Sequence, residues 1–294
     1  MKPPPFDYSA PDSVAEALEL LQRAPEETSA LAGGQSLVPV LNMRLAQPLA
    51  LVDLNRVAGL DAIEATPEGR VRFGSMVRQR RLESEPLVRD RLPLLTEAAV
   101  HIAHLAIRTR GTVGGSLAHA DPSAELPAAV SALDGRMLVR GPDGERTVPA
   151  ADFFLGPLTT AIEPGELLVA VELEPPPPGS GSAFVEVART HGAFALAAAA
   201  AVLHLDDGGG IDHARVALAG LGGVPHVPAW LDEVAGGEAP DEALFRRVGE
   251  RVRDEVEPFD DVHASAQYRK RVAAVLTARA LATAAARAGQ RVAA

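Results

Sequence analysis

Two adjacent-glycine motifs are the residues of this sequence best suited to chemistry. Ala32-Gly33-Gly34-Gln35-Ser36 follows a short apolar run and leads, at Leu37, into a segment of helical spacing. Thr112-Val113-Gly114-Gly115-Ser116, whose glycine pair lies 81 positions after the first, sits in a second loop before another apolar stretch. Neighbouring glycines let several backbone N–H groups turn toward one point and let a ligand approach the chain closely. A loop of that kind entering a helix suits an anion, because unpaired N–H groups and the helix dipole meet there. Each motif alone also fits an ordinary glycine turn. Together they suggest a diphosphate held between two parts of the protein.

Other candidate groups are fewer. Arg108 and Arg110 flank the second motif and are placed for charge-assisted contact with a phosphate or carboxylate, with surface solvation an equal alternative. His101 and His104 are spaced i, i+3 on an expected helix and could share a metal, but no acidic or cysteine ligand has matching spacing. His119-Ala120-Asp121 reads as loop architecture more than as an acid–base pair, and His191 and His263 have no visible partner. Neither glycine motif fits GxGxxG or GxxxxGK[ST], and no G-x-S-x-G elbow occurs. The pattern is that of a binder for a diphosphate-containing cofactor that performs the chemistry itself.

The totals agree with such a role. The 294 residues are enough for two or three domains, and 47% hydrophobic with 23% charged residues is ordinary for a globular protein. A net charge of −11 argues against nucleic acid as partner, so local groups must hold any anionic ligand. The sequence has no cysteine, which excludes disulfides, thiolate nucleophiles and thiolate-held iron–sulfur clusters. No apolar run has signal-peptide or membrane-spanning form, so the expectation is a cytoplasmic chain without stable membrane insertion.

The elements that must position the motifs follow from pattern. Ser13 and Glu16 have capping-box spacing ahead of a helix with Val14, Ala17, Leu18 and Leu21 on one face. Strands are expected at 29–32 and 49–54, with a helix at 37–45 between them. Hairpins are expected over 61–74 and 135–148, helices over 78–89, 94–106 and 124–133, and a strand at 167–173. Pro175-Pro176-Pro177-Pro178-Gly179-Ser180-Gly181-Ser182 reads as a flexible linker. Propensity favours a helix over 195–203, yet the turn at 206–210 and the β-like 214–218 favour a hairpin. Helices over 241–255 and 265–288 end the chain. The expected units are 1–58, 59–174, a linker at 175–182, and 183–294.

The sequence resembles the FAD-binding medium subunit of molybdenum hydroxylases, particularly the aerobic carbon monoxide dehydrogenase type. The resemblance rests on Ala32-Gly33-Gly34-Gln35-Ser36-Leu37, on Ile107-Arg108-Thr109-Arg110-Gly111-Thr112-Val113-Gly114-Gly115-Ser116, and on Ala120-Asp121-Pro122. Weaker support comes from Gly74-Ser75-Met76-Val77-Arg78-Gln79-Arg80, Arg189-Thr190-His191-Gly192-Ala193-Phe194-Ala195 and Tyr268-Arg269-Lys270-Arg271.

It implies an α+β fold like that of the vanillyl-alcohol-oxidase and p-cresol-methylhydroxylase flavoproteins, two subdomains clasping FAD followed by a C-terminal α+β domain. It implies that residues 32–36 and 112–116 contact the diphosphate of non-covalent FAD. Glu125 and Leu168 would line the ribityl and adenosine parts, and Phe194 would pack near the isoalloxazine ring. Relatives commonly carry Asp where Glu125 and Ala193 stand. The implied partners are a large molybdopterin-binding subunit and a small [2Fe–2S] subunit, as a dimer of heterotrimers. A stand-alone FAD oxidase of the same fold and a flavin-free scaffold are the other readings.

Overall fold

The structure is a computed structural model and describes residues 2–292. The first unit holds β1 (Asp7–Ser9), α1 (Val14–Arg23), β2 (Thr28–Leu31), α2 (Leu37–Asn42) and β3 (Ala50–Asp53). Its three strands form a parallel sheet in the order β1-β3-β2. The Ser13 hydroxyl caps α1, accepting from Glu16 N at 3.2 Å, while the Glu16 carboxylate accepts from Asp12 N at 3.1 Å. The capping box is thus shifted by one residue. Ala17, Leu18 and Leu21 are the buried stripe of α1. Because β2 and β3 run parallel, the segments after Leu31 and Asp53 emerge side by side. In parallel sheets, ligands sit beyond those carboxyl ends.

The second unit continues with β4 (Ile63–Ala65), β5 (Val71–Gly74), α3 (Gln79–Leu82), α4 (Pro86–Arg91), α5 (Pro93–His101), α6 (Leu105–Arg108), α7 (Val113–His119) and α8 (Glu125–Ala132). The hairpin β6 (Arg136–Gly141) and β7 (Gly144–Pro149) follows, then α9 (Ala150–Phe153), the small hairpin β8 (Phe154–Gly156) and β9 (Thr159–Thr160), and β10 (Leu167–Leu173). The main sheet is antiparallel in the order β4-β5-β10-β6-β7.

Two expected helices are each broken. Pro86 starts a new helix, so 78–89 divides into α3 and α4. The segment 94–106 breaks around Ala103, whose φ is 40°. His101 therefore ends α5 and His104 precedes α6, and they do not share a helix face. The glycines Gly114 and Gly115 also differ from expectation. They lie in the first turn of α7 rather than in a loop, since Thr112 caps that helix by accepting from Gly115 N at 3.0 Å.

The third unit is the antiparallel sheet β11 (Gly181–Ala188), β12 (Ala195–Leu205) and β13 (Ile211–Ala219), with α10 (Leu231–Ala235), α11 (Glu242–Glu255) and α12 (Ala266–Val292). The alanine-rich β12 shows why helix propensity fails here. Its even residues Ala198, Ala200 and Val202 enter the core of the second unit, while Ala197, Ala199, Ala201 and Leu203 enter the core beneath α11 and α12. Alternation with both faces covered is a strand property, and small side chains allow both helical layers to approach. The expected flexible tail before it is ordered. Ser182 is 4% exposed, and a β-carbon on Gly181 would collide with the Ala284 carbonyl of α12. One apolar core therefore runs through the second unit and into the third sheet.

Candidate functional site

The two glycine motifs meet. A β-carbon built on Gly115 would lie 3.5 Å from the Ala32 β-carbon, and one built on Gly33 would lie 2.8 Å from Gly111 Cα. At Gly33 the close approach of backbones leaves no room for a side chain, whereas at Gly115 the Ala32 contact is an ordinary one and the crowding comes from the capping Thr112 Oγ1, 2.7 Å away. Gly34 is required for a different reason: its φ of 73° is left-handed. A cavity of about 360 Å³ opens beside this contact, lined by Leu31, Ala32, Gly33, Gly34, Gln35, Val38, Pro39, Asp53, Asn55 and Arg110.

The motifs contribute differently. Among the described residues, no acceptor takes the amides of Gly33, Gly34, Gln35, Ser36 or Leu37. In the second motif the amides of Val113 to Ser116 are occupied. Val113 N donates to Val77 O and Gly114 N to Ser75 O, both at 2.8 Å, and Gly115 N and Ser116 N donate to Thr112. The first motif thus offers a bank of donors, and the second offers a bare backbone wall and the Ser116 hydroxyl. Thr112 itself is 2% exposed and serves as the cap.

Charge is concentrated around the cavity. Arg110 lines it, and no described group hydrogen-bonds its guanidinium. Arg108, by contrast, is 8% exposed, pairs with Glu83 at 2.7 Å and donates to the Ile102 and Ala103 carbonyls. Only one of the two candidate arginines faces a ligand site. Asp53 accepts from the Tyr8 hydroxyl at 2.6 Å and from Asn55 N at 2.9 Å. Burial pushes its carboxyl up, but the bonds from Tyr8 and Asn55 outweigh that and hold it below the usual value.

The remaining candidates lie apart. Glu125 is the first residue of α8 and 5% exposed, and burial pushes its carboxyl up to about 7. It shares its surroundings with the His101–Glu186 pair, whose Nδ1 and Oε1 are 3.2 Å apart. The hydrogen bond that His101 donates to Glu186 and burial oppose each other at the imidazole, and the bond wins, raising its pKa. Leu168 is 4% exposed in β10, at a bulge, with its side chain in the core. Phe194 is 63% exposed, at the end of the turn between β11 and β12. That turn rests on the second unit, since a β-carbon on Gly192 would lie 2.7 Å from the His104 ring.

Sequence reasoning did not assign a role to Tyr8, Asp53, Asn55 or Arg78. Asp53-Leu54-Asn55 at the end of a parallel strand was a usable signal, because that edge is where such sheets bind ligands. Apart from the Asp53–Asn55 bonds, those that tie these residues into the site span 23 to 45 positions and leave no local trace.

Residues 4–176 match the family described as FAD binding domain in molybdopterin dehydrogenase, and residues 182–284 match the CO dehydrogenase flavoprotein C-terminal domain. The chain belongs to the FAD-binding medium subunits of molybdenum hydroxylases. Within this family it is 39% identical over 284 residues to the 6-hydroxypseudooxynicotine dehydrogenase complex subunit alpha of Paenarthrobacter nicotinovorans, covering 97% of this chain and 96% of that one. It is 38% identical to the carbon monoxide dehydrogenase medium chain of Afipia carboxidovorans, covering 98% and 99%. The solved carbon monoxide dehydrogenase from Hydrogenophaga pseudoflava superposes with a TM-score of 0.94 at 36% identity, covering 98% of this chain and 99% of that one. Medium subunits are oxidoreductase components, and the site fits their cofactor. Free amides, an unpaired guanidinium and a backbone at Gly33 closed to any β-carbon form a cradle suited to the diphosphate of FAD.

Proposed function

We propose that this chain is the electron-transfer subunit of a heteromeric molybdenum hydroxylase, receiving electrons from [2Fe–2S] clusters on a small subunit and passing them to an external acceptor. The substrate would be oxidised at a molybdenum centre on a large subunit. The observation that carries the reading is the meeting of Ala32 with Gly115 beside a cavity whose wall supplies unpaired donors. FAD, when bound, exchanges electrons singly or in pairs, which suits a station between one-electron and two-electron carriers. These 294 residues include no cysteine, so thiolate-held clusters must come from another chain. Relatives named as medium chains or subunits of dehydrogenase complexes support that division.

The chain's own residues bind and orient. Residues Gly33, Gly34, Gln35, Ser36 and Leu37 offer amides to the diphosphate, and Arg110 offers charge. Gly114 and Gly115 keep the facing wall flat, and Ser116 adds a hydroxyl. In the same reading Glu125 accepts from cofactor hydroxyls, Leu168 contributes backbone alone, and the uncovered Phe194 ring packs on the isoalloxazine. A dimer of heterotrimers is the proposed assembly. Mixing the FAD-loaded chain with a reduced small [2Fe–2S] subunit tests the proposal: the flavin absorbance should bleach. A chain that stays colourless with FAD sinks it in favour of a scaffold. Turnover of a small alcohol or phenol by the chain alone would instead show a stand-alone oxidase.

A further inference from the structure

We infer that Arg78, seated on Asn55, is the positioning residue that sets the spacing between the two glycine motifs and thereby how tightly the FAD diphosphate is gripped. The inference rests on the reading of the cavity as the diphosphate site. Residues 77–79 run antiparallel to 111–113: Val113 N donates to Val77 O at 2.8 Å, Gln79 N donates to Gly111 O at 2.9 Å, and Arg78 bridges Thr112. The backbone of Arg78 is thereby fixed to the second motif. Its guanidinium then turns toward the first. One nitrogen donates to the Arg110 carbonyl, and Nη2 donates to Asn55 Oδ1 at 2.6 Å. Asn55 completes the connection by donating from Nδ2 to the Ala32 carbonyl at 3.0 Å.

The strap is itself anchored. Asn55 donates from N and Nδ2 to Asp53 Oδ1 at 2.9 and 2.5 Å, and Asp53 Oδ2 accepts from Tyr8 on β1 at 2.6 Å. Arg78 does not line the cavity, whereas Asn55, Asp53 and Arg110 do, so it acts through them. Only a planar, two-pronged donor reaches a carbonyl and an amide oxygen at once, and a lysine would satisfy one of them. Among the described residues no carboxylate forms an ion pair with Arg78; burial together with the nearby Arg110 charge presses its guanidinium pKa down, against the more distant pull of Asp53 and Asp61.

The test strips flavin from the purified chain and titrates FAD by fluorescence quenching, beside melting curves of the flavin-free protein. Arg78→Met should weaken FAD binding about 10- to 100-fold with the flavin-free melting temperature unchanged. Asn55→Ala should weaken it similarly, and the double variant should lose little more, because both cut one strap. Arg78→Lys should regain only part of the loss. Wild-type affinity in Arg78→Met, additive losses in the double variant, full rescue by lysine, or a melting point that falls with affinity would each overturn the strap. A wild-type chain that fails to bind FAD would overturn the functional reading and the strap together; failure of the strap alone leaves that reading standing.

Discussion

The Arg110 carbonyl oxygen occupies the place where a Gly33 β-carbon would be. This one contact joins the first glycine motif to the second, and it decides what each position tolerates. Gly33→Ala must push the segments apart, and overpacking of that kind costs roughly 1–3 kcal/mol. Spread across the cradle, that should lower FAD affinity by up to about 100-fold. Gly34→Ala meets strain instead of a collision, with φ at 73° and Val38 Cγ2 3.2 Å from the new methyl. A left-handed alanine costs about 1–2 kcal/mol, so its loss should be smaller. Flavin absorbance per protein in the purified variants checks the order. Equal flavin content in Gly33→Ala and wild type would refute it.

Arg108 and Arg110 stand two positions apart and should fail in opposite ways. Arg108→Ala leaves Glu83, whose side chain is 11% exposed, with Arg80 as its remaining partner, and leaves two carbonyls without a donor. Losing those charge-assisted bonds costs about 1.5–3 kcal/mol, visible as a lower melting temperature without flavin. Arg110→Ala touches no folded-state bond of its guanidinium, so stability should hold within about 0.5 kcal/mol. Its FAD affinity should drop and lose part of its salt dependence, because a charge facing the anion has gone. Titrations at two ionic strengths, with melting curves, separate the two arginines.

Much of this arrangement was legible in the sequence, and the reasons divide cleanly. Local signals survived: β10 spans Leu167–Leu173, the bounds expected for that strand, and the hairpin of β6 and β7 turns at Pro142-Asp143. The glycine motifs announced a cradle because glycine is selected wherever backbones touch. Arg108 was ambiguous since its fate depends on Glu83, 25 residues away, and nothing nearby encodes that pairing. The amides of the second motif looked available because sequence does not show that Ser75 and Val77 accept from two of them. Leu168 shows a related limit: nothing along the chain tells a core side chain, as this one is, from a ligand-facing one.

The third unit is tied to the second by Arg287 of α12, and loosening that tie should be measurable. Arg287 Nη1 donates to both Glu97 oxygens of α5 at 2.7 and 2.8 Å and also to the Ser182 carbonyl. Glu97 in turn accepts from Phe184 N at 3.3 Å. Arg287→Ala should lower stability by about 1–3 kcal/mol, a charge-assisted bond being stronger than a neutral one. Glu97→Gln should lose less, because an amide oxygen still accepts from Phe184. Urea midpoints at constant m-value are the measurement. A larger loss in Glu97→Gln than in Arg287→Ala would contradict the assignment.

Glu125 gives the chain a pH dependence of unusual sign for a carboxyl group. Burial lifts it from an ordinary value of 4.5 to about 7, with the nearby Glu186 and Asp121 charges adding to the rise and His101 opposing it. Between those values the folded protein binds a proton that the unfolded chain releases, so stability falls as pH rises. The contribution is complete below the unfolded value and gone above the folded one. A shift of this size corresponds to on the order of 3 kcal/mol. The raised His101 adds in the same direction, since its stabilising charge is lost as pH climbs through its folded value. Glu125→Gln is neutral throughout. In melting curves of the flavin-free chain, it should match wild type near about pH 5 and exceed it near about pH 8. A variant less stable than wild type at the higher pH would mean that Glu125 is ionised and usefully paired, and that its buried carboxyl is not a proton holder.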